Sequence, residues 1–145
     1  MKVKKISAVL CAVMMALSLL PPALAAESDR KIIDLGDGFY VIQTVTQYAL
    51  TRSGDTVYGK VTNEAYYQNT QIGSATLGAS FDISGSTAVA KLAVLQGIGM
   101  NGWTFINGGT KCSGNKASGT AILESGNTQK QFTLSISCAP DGTLS

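Results

Sequence analysis

The chain of 145 residues contains no histidine. That absence excludes Ser-His-Asp and Cys-His nucleophilic catalysis, and it excludes His-ligated zinc, iron or copper. It also removes the usual general base near neutral pH. Proline is scarce, and after Pro21 and Pro22 only Pro140 remains. After Leu20 no second long apolar run occurs, so nothing beyond that point reads as a membrane span. Clustered positive charge is missing as well. Apart from the N-terminal lysines and the neighbours Arg30 and Lys31, the cations stand singly. Nucleic acid and anionic membrane both call for basic clusters, so neither is an expected partner.

What the N-terminus does have is the layout of a removable export signal. Lys2, Lys4 and Lys5 precede an uncharged run from Ile6 to Leu20, closed by Pro21 and Pro22 and by the small residues Ala23 to Ala26. The run is too short and wrongly flanked for a stable span, and cleavage after Ala25 or Ala26 is expected. Cys11 lies inside the run rather than at its end, which argues against lipid attachment. Without the first 26 residues, 119 remain, with 8 basic against 9 acidic side chains, so the formal charge changes from +2 to −1. A chain of that size forms one domain with a single core. The expected organisation is a cleaved signal over residues 1–26, a flexible leader over 27–38 that ends in a short extended piece, and one β domain over 39–145.

Glycine, serine and threonine make up 42 of those 119 residues, a composition that favours short strands and tight turns over helices. The run from Phe39 to Thr51 is rich in β-branched and aromatic residues. From Gly73 to Ile83 the odd positions are small or apolar and the even ones mostly polar, which sets one face on a core and one in water. Residues 88–96 carry helix-compatible residues, yet strands on both sides favour a buried strand. Trp103–Asn107 reads as a short strand followed by a turn-rich connection over 108–115. In the last strand Phe132, Leu134, Ile136 and Cys138 share a face. "SGDT" (53–56), "SGST" (84–87) and "SGNT" (125–128) each separate two strand-like runs and read as hairpin turns. The fold expected is all-β, a single antiparallel β-sandwich built as a hairpin meander of about seven strands, with a barrel as the alternative.

"GIGMNG", Gly97 to Gly102, matches the glycine pattern of dinucleotide-binding loops. Such a loop needs a strand before it and a helix after it, whereas Trp103, Thr104, Phe105 and Ile106 follow. A flexible or bulged loop beside a buried Trp103 is expected, with no dinucleotide and no other cofactor. Cys112 and Cys138 remain after processing in a compartment that permits disulfides. A hairpin turning at Ser125–Gly126 would set them almost opposite each other, within bonding reach, provided residues 113–115 do not divert the chain. The alternatives are two free thiols or a metal site, and two cysteines without histidine make a poor zinc site.

Paired carboxylates could serve a glycosidase. The candidates are Asp34, Asp37, Asp55, Glu64, Asp82, Glu124 and Asp141, of which Asp55, Asp82 and Glu124 sit at or beside expected hairpin turns, where acids are ordinary. No catalytic and no metal-binding residue is assigned. The aromatic side chains are the better binding candidates: Tyr48, Tyr58, Tyr66 and Trp103 would stack on sugars if they shared an exposed face. If the first two strands pair across "SGDT", Tyr48 and Tyr58 are near neighbours without being direct partners. Adjacent Tyr66 and Tyr67 point to opposite faces of an extended strand.

The stretches "GDGFYV", "YYQNTQIGSATLGASFDISGST" and "SISCAPDGTLS", with "GW" after a glycine-rich loop, resemble small exported proteins of unknown function from Gram-positive bacteria. The resemblance implies a secreted β domain and carries over no functional residue. The expectation is therefore a non-enzymatic binding module, secreted or at the cell surface, with a glycan, a cell-wall polymer or a protein as partner. A membrane-active or bacteriocin-like effector and a small carboxylate-dependent hydrolase are the alternatives.

Overall fold

A computed structural model describes residues 25–48 and 55–145. The expected export signal lies outside the described residues except for Ala25 and Ala26, as do Ser53 and Gly54 of the first expected turn. Eight strands are described: β1 Ala25–Asp34, β2 Phe39–Tyr48, β3 Thr56–Tyr67, β4 Thr70–Asp82, β5 Val89–Gly99, β6 Thr104–Ser113, β7 Lys116–Ser125 and β8 Thr128–Ser137. Every pairing is antiparallel. A five-stranded sheet runs β1-β2-β3-β4-β5 and a three-stranded sheet runs β6-β7-β8. The two pack into an antiparallel β-sandwich, with meander order inside each sheet and no closure into a barrel.

Period-two alternation builds the core. On β3, Val57, Val61 and Ala65 are buried while Tyr58, Thr62 and Glu64 are partly exposed. On β4, Ala75, Leu77, Ala79 and Phe81 are buried as the alternation requires. They meet Ala117, Ala121 and Leu123 of β7 and Phe132, Leu134 and Ile136 of β8 in one cluster. Each large side chain buried there contributes roughly 1.5–3 kcal/mol. Ile72 breaks the parity for a specific reason. Ala65 faces Gly73 while Tyr66 faces Gln71, so Ile72 is the extra residue of a bulge, and it lies 1% exposed in the core.

Of residues 88–96, all but Ala88 lie in β5, so the favoured strand is found. Several other expectations are corrected. The leader over 27–38 contributes to β1, because the ladder with β2 already begins at Ala25 opposite Tyr48. The connection over 108–115 is largely strand. β6 continues to Ser113 through an irregularity between Asn107 and Thr110, where Gly108 and Gly109 lie.

"GIGMNG" is a strand end and a tight turn in place of a flexible loop. Gly97 and Gly99 lie in β5, where an added Cβ would collide with the Phe105 ring and with the Trp103 backbone. Asn101 and Gly102 both take positive φ, at 53° and 83°. This is the Asn-Gly turn geometry, and it carries the chain from one sheet to the other. Trp103 beside it is only partly buried.

The expected disulfide is also corrected. Residues 113–115 do divert the chain. Ser113 pairs with Lys116 across a turn, so Cys112 faces Ala117 on β7, and Ala117 faces Ile136 on β8. Two strand spacings amount to roughly 9–10 Å, beyond disulfide reach. Both cysteines are free, Cys112 exposed and Cys138 buried. The last hairpin turns at Gly126–Asn127, because Ser125 faces Thr128.

The final residues fold back onto β8. Cys138 bridges to Leu144, and Ser137 and Ser145 exchange backbone hydrogen bonds of 2.8 and 3.0 Å. Leu144 sits over Gly59 of β3, where any β-carbon would overlap it.

Candidate functional site

The outward face of the five-stranded sheet carries an ordered row of polar side chains. It forms because the odd residues of β3 and of most of β4 go to the core, which leaves their even residues outward. One row crosses all five strands: Arg30 faces Thr44, Thr44 faces Thr62, Thr62 faces Thr76 and Thr76 faces Gln96. At the usual strand spacing the row is roughly 19 Å long. The Oγ1 atoms of Thr62 and Thr76 lie 2.9 Å apart in a hydrogen bond. A shallow recess of about 250 Å³ adjoins the row, lined by Ser74, Thr76, Gln96, Gly97 and Ile98. Arg30 and Glu64 form an ion pair at 3.8 Å on this face, both well exposed. Such a pair adds little stability and stays open to a ligand.

Tyrosines mark both ends of the array. At one end Tyr40 of β2 faces Tyr66 of β3, and their rings stack with centroids 5.1 Å apart and planes 4° from parallel. Both residues remain partly exposed. Tyr58 lies at the other end, eight residues along β3, roughly 26 Å away. Tyr48 ends β2, and its side chain lies outside the described residues. The offset expected between Tyr48 and Tyr58 is absent from the ladder, which sets Gln47 opposite Gly59.

Trp103 does not join this face. It meets Tyr67 edge-on at 5.9 Å and packs against the core. Lys130 Nζ lies 4.4 Å from the centre of the Tyr67 ring and 5.7 Å from that of Phe39. This end cluster is a packing unit stabilised by cation–π attraction. Tyr66 and Tyr67 diverge to opposite faces as alternation requires, and only Tyr66 belongs to the outward array.

The carboxylates lie mostly at strand ends and turns, and two pairs are near each other: Asp34 with Asp37 around the β1–β2 turn, and Asp55, whose carbonyl accepts from Ile83 N–H, beside Asp82. Asp34 and Asp37 flank the β1–β2 turn, Asp55 precedes β3, Glu64 is on the outward face, Asp82 ends β4, Glu124 is near the end of β7, and Asp141 is in the C-terminal turn. Hydrogen bonds from the Ser84 hydroxyl at 2.6 Å and backbone N–H at 2.9 Å hold Asp82 below its ordinary pKa, with Lys91 adding a smaller pull. The Thr143 N–H does the same for Asp141. Both are turn-stabilising contacts. Burial raises the Cys138 thiol, with Asp141 adding to the shift, and partial desolvation raises Cys112. Both sulfurs are thereby held in the less nucleophilic thiol form. Among the described residues no cluster of three or more His, Cys, Asp or Glu side chains is placed to hold a metal ion.

Comparison with family models, with curated proteins and with solved structures finds no match to this chain. The site is therefore read from its own geometry. Sequence reasoning identified Tyr58 and Tyr66 but missed the threonine row. Thr44, Thr62 and Thr76 lie far apart in the chain, and only the register of three strands aligns them. The available signal was the run of polar residues at alternate positions of β3.

Proposed function

We propose that this chain is an exported, non-enzymatic binding module whose outward sheet face holds an extended neutral polymer, a glycan or a cell-wall polysaccharide. The supporting observation is the single face on which Tyr40, Tyr66 and Tyr58 bracket the row Arg30, Thr44, Thr62, Thr76 and Gln96. Hydroxyl and amide groups match sugar hydroxyls as donors and acceptors, and tyrosine rings cover the apolar faces of pyranose rings. An array roughly 26 Å long suits several consecutive sugars rather than one. The N-terminal lysines and apolar run support export.

Retention on immobilised glycans and isolated wall polymers tests the reading. Saturable retention is expected, weakened at least tenfold by Tyr66→Ala and reduced by a Thr62→Val and Thr76→Val pair, with Trp103→Phe near the parent value. Retention that ignores all the outward-face changes, or its absence across the panel, refutes this assignment.

A further inference from the structure

We propose that β1 is a self-association edge, through which two copies of the chain join antiparallel across residues 30–34 with Ile32 on the two-fold axis. This inference is independent of the glycan reading. Among the described residues β1 is the outermost strand of the five-stranded sheet, with β2 on one side and no strand on the other. The direction of its free backbone groups follows from the hydrogen bonds beside it. Leu35 N–H donates to Phe39 O at 2.9 Å, so Leu35 turns its N–H toward β2. Alternation in an antiparallel ladder then turns Lys31 and Ile33 the same way and aims the N–H and C=O groups of Arg30, Ile32 and Asp34 at the open edge. The next ladder agrees. Gln68 N–H donates to Gly38 O at 2.9 Å, so even residues of β2 bond to β3 and odd ones to β1.

The free segment has defined ends. An irregularity between Ala26 and Asp29 interrupts one side, and positive φ at Gly36, Asp37 and Gly38 turns the chain away on the other. Within it, the side chains whose backbone groups face the edge are a cation, an isoleucine and an anion. Ile32 is 68% exposed, the highest value among the exposed large hydrophobic residues.

Charge selects the register. Centring the pair on Arg30, Lys31 or Asp34 sets like charges directly opposite each other, which is destabilising. Centring on Ile33 sets Ile32 against Asp34. Only centring on Ile32 covers each exposed isoleucine with its own copy and sets Arg30 opposite Asp34 twice. Three residues on each side then have their edge-facing N–H and C=O groups paired. The axis is perpendicular to the sheet, so the product is one ten-stranded sheet with both outward faces on the same side. This is an isologous contact that closes at two copies.

The test is sedimentation of the purified protein over a concentration range. A dimer in reversible exchange with monomer is expected. Arg30→Asp or Asp34→Arg alone should give monomer, because each sets like charges opposite across the axis. The double change Arg30→Asp with Asp34→Arg should restore the dimer. Circular dichroism on each variant confirms folding, which matters for Asp34 because its Oδ1 accepts from Gly36 N–H at 2.9 Å. A second measurement does not depend on charge. In a Cys112→Ser background, Ile32→Cys should oxidise to a covalent dimer, since hydrogen-bonded partners have Cα atoms about 5.5 Å apart, within disulfide reach. Lys31→Cys should not cross-link, because it faces residue 33 of the other copy. A parent protein that stays monomeric to about 1 mM, a dimer indifferent to both single reversals, or equal cross-linking at 31 and 32 overturns the proposal.

Discussion

At the scale of single residues, Asn63 is the side chain whose environment fits it least. It is fully buried on the inward face of β3, and neither its amide oxygen nor its nitrogen has a hydrogen-bond partner. An unpaired buried amide costs on the order of 1–3 kcal/mol. Asn63→Val keeps a similar volume and suits a strand, so it is expected to raise stability by about 1 kcal/mol in chemical denaturation. A fall instead would mean that the amide holds an internal partner such as a trapped water. Asp82 and Asp141 give a residue-scale expectation for pH. Their folded pKa values lie below the unfolded ones, so their contribution is complete above the ordinary carboxylate range and is lost as pH falls through the folded values. Stability should therefore decline below about pH 4. Asp82→Asn should flatten that decline, as read by melting temperature against pH, and an unchanged slope would assign it to other groups.

At the scale of elements, the turns decide more than the strands. The β5–β6 turn depends on Gly99, whose missing side chain leaves room for the Trp103 backbone. Because a backbone carbonyl cannot swing aside, Gly99→Ala is expected to cost about 1–3 kcal/mol. Gly102→Ala strains only the positive φ and should cost less, as denaturant titration of the two variants would show. Strands were the legible part of the sequence: the β4 alternation and the Phe132–Ile136 face follow directly from residue order. Register was less legible. The β7–β8 turn falls one residue later than "SGNT" suggested, and residues 113–115 make a turn of their own. Together these two details remove the geometric case for joining Cys112 to Cys138.

At the scale of the whole molecule, the two sheets share one core. Leu123 of β7 reaches across to Gly73 of β4, and Leu77 and Leu95 of the larger sheet reach Gly119 of β7. Leu123→Ala should therefore destabilise both sheets together, by about 2–5 kcal/mol. The Trp103 fluorescence transition and the far-ultraviolet circular dichroism transition should shift in parallel. Separate transitions would mean that the sheets unfold independently.

By itself the sequence determined the fold class. Small and apolar residues at alternate positions, with turn residues between the runs, call for antiparallel strands that each bury one face, in a sandwich or, less favoured, a barrel, and the two open sheets decide for the sandwich. It also separated Tyr66 from Tyr67, because neighbours on a strand must diverge. The tertiary structure alone decided which distant residues meet: the Tyr40–Tyr66 stack, the threonine row, the separation of the cysteines and the seat of Leu144 over Gly59. Alternation assigns a residue to a face but carries no information about its cross-strand partner. That depends on turn length and bulge position, and a shift of one residue at either changes every pairing beyond it.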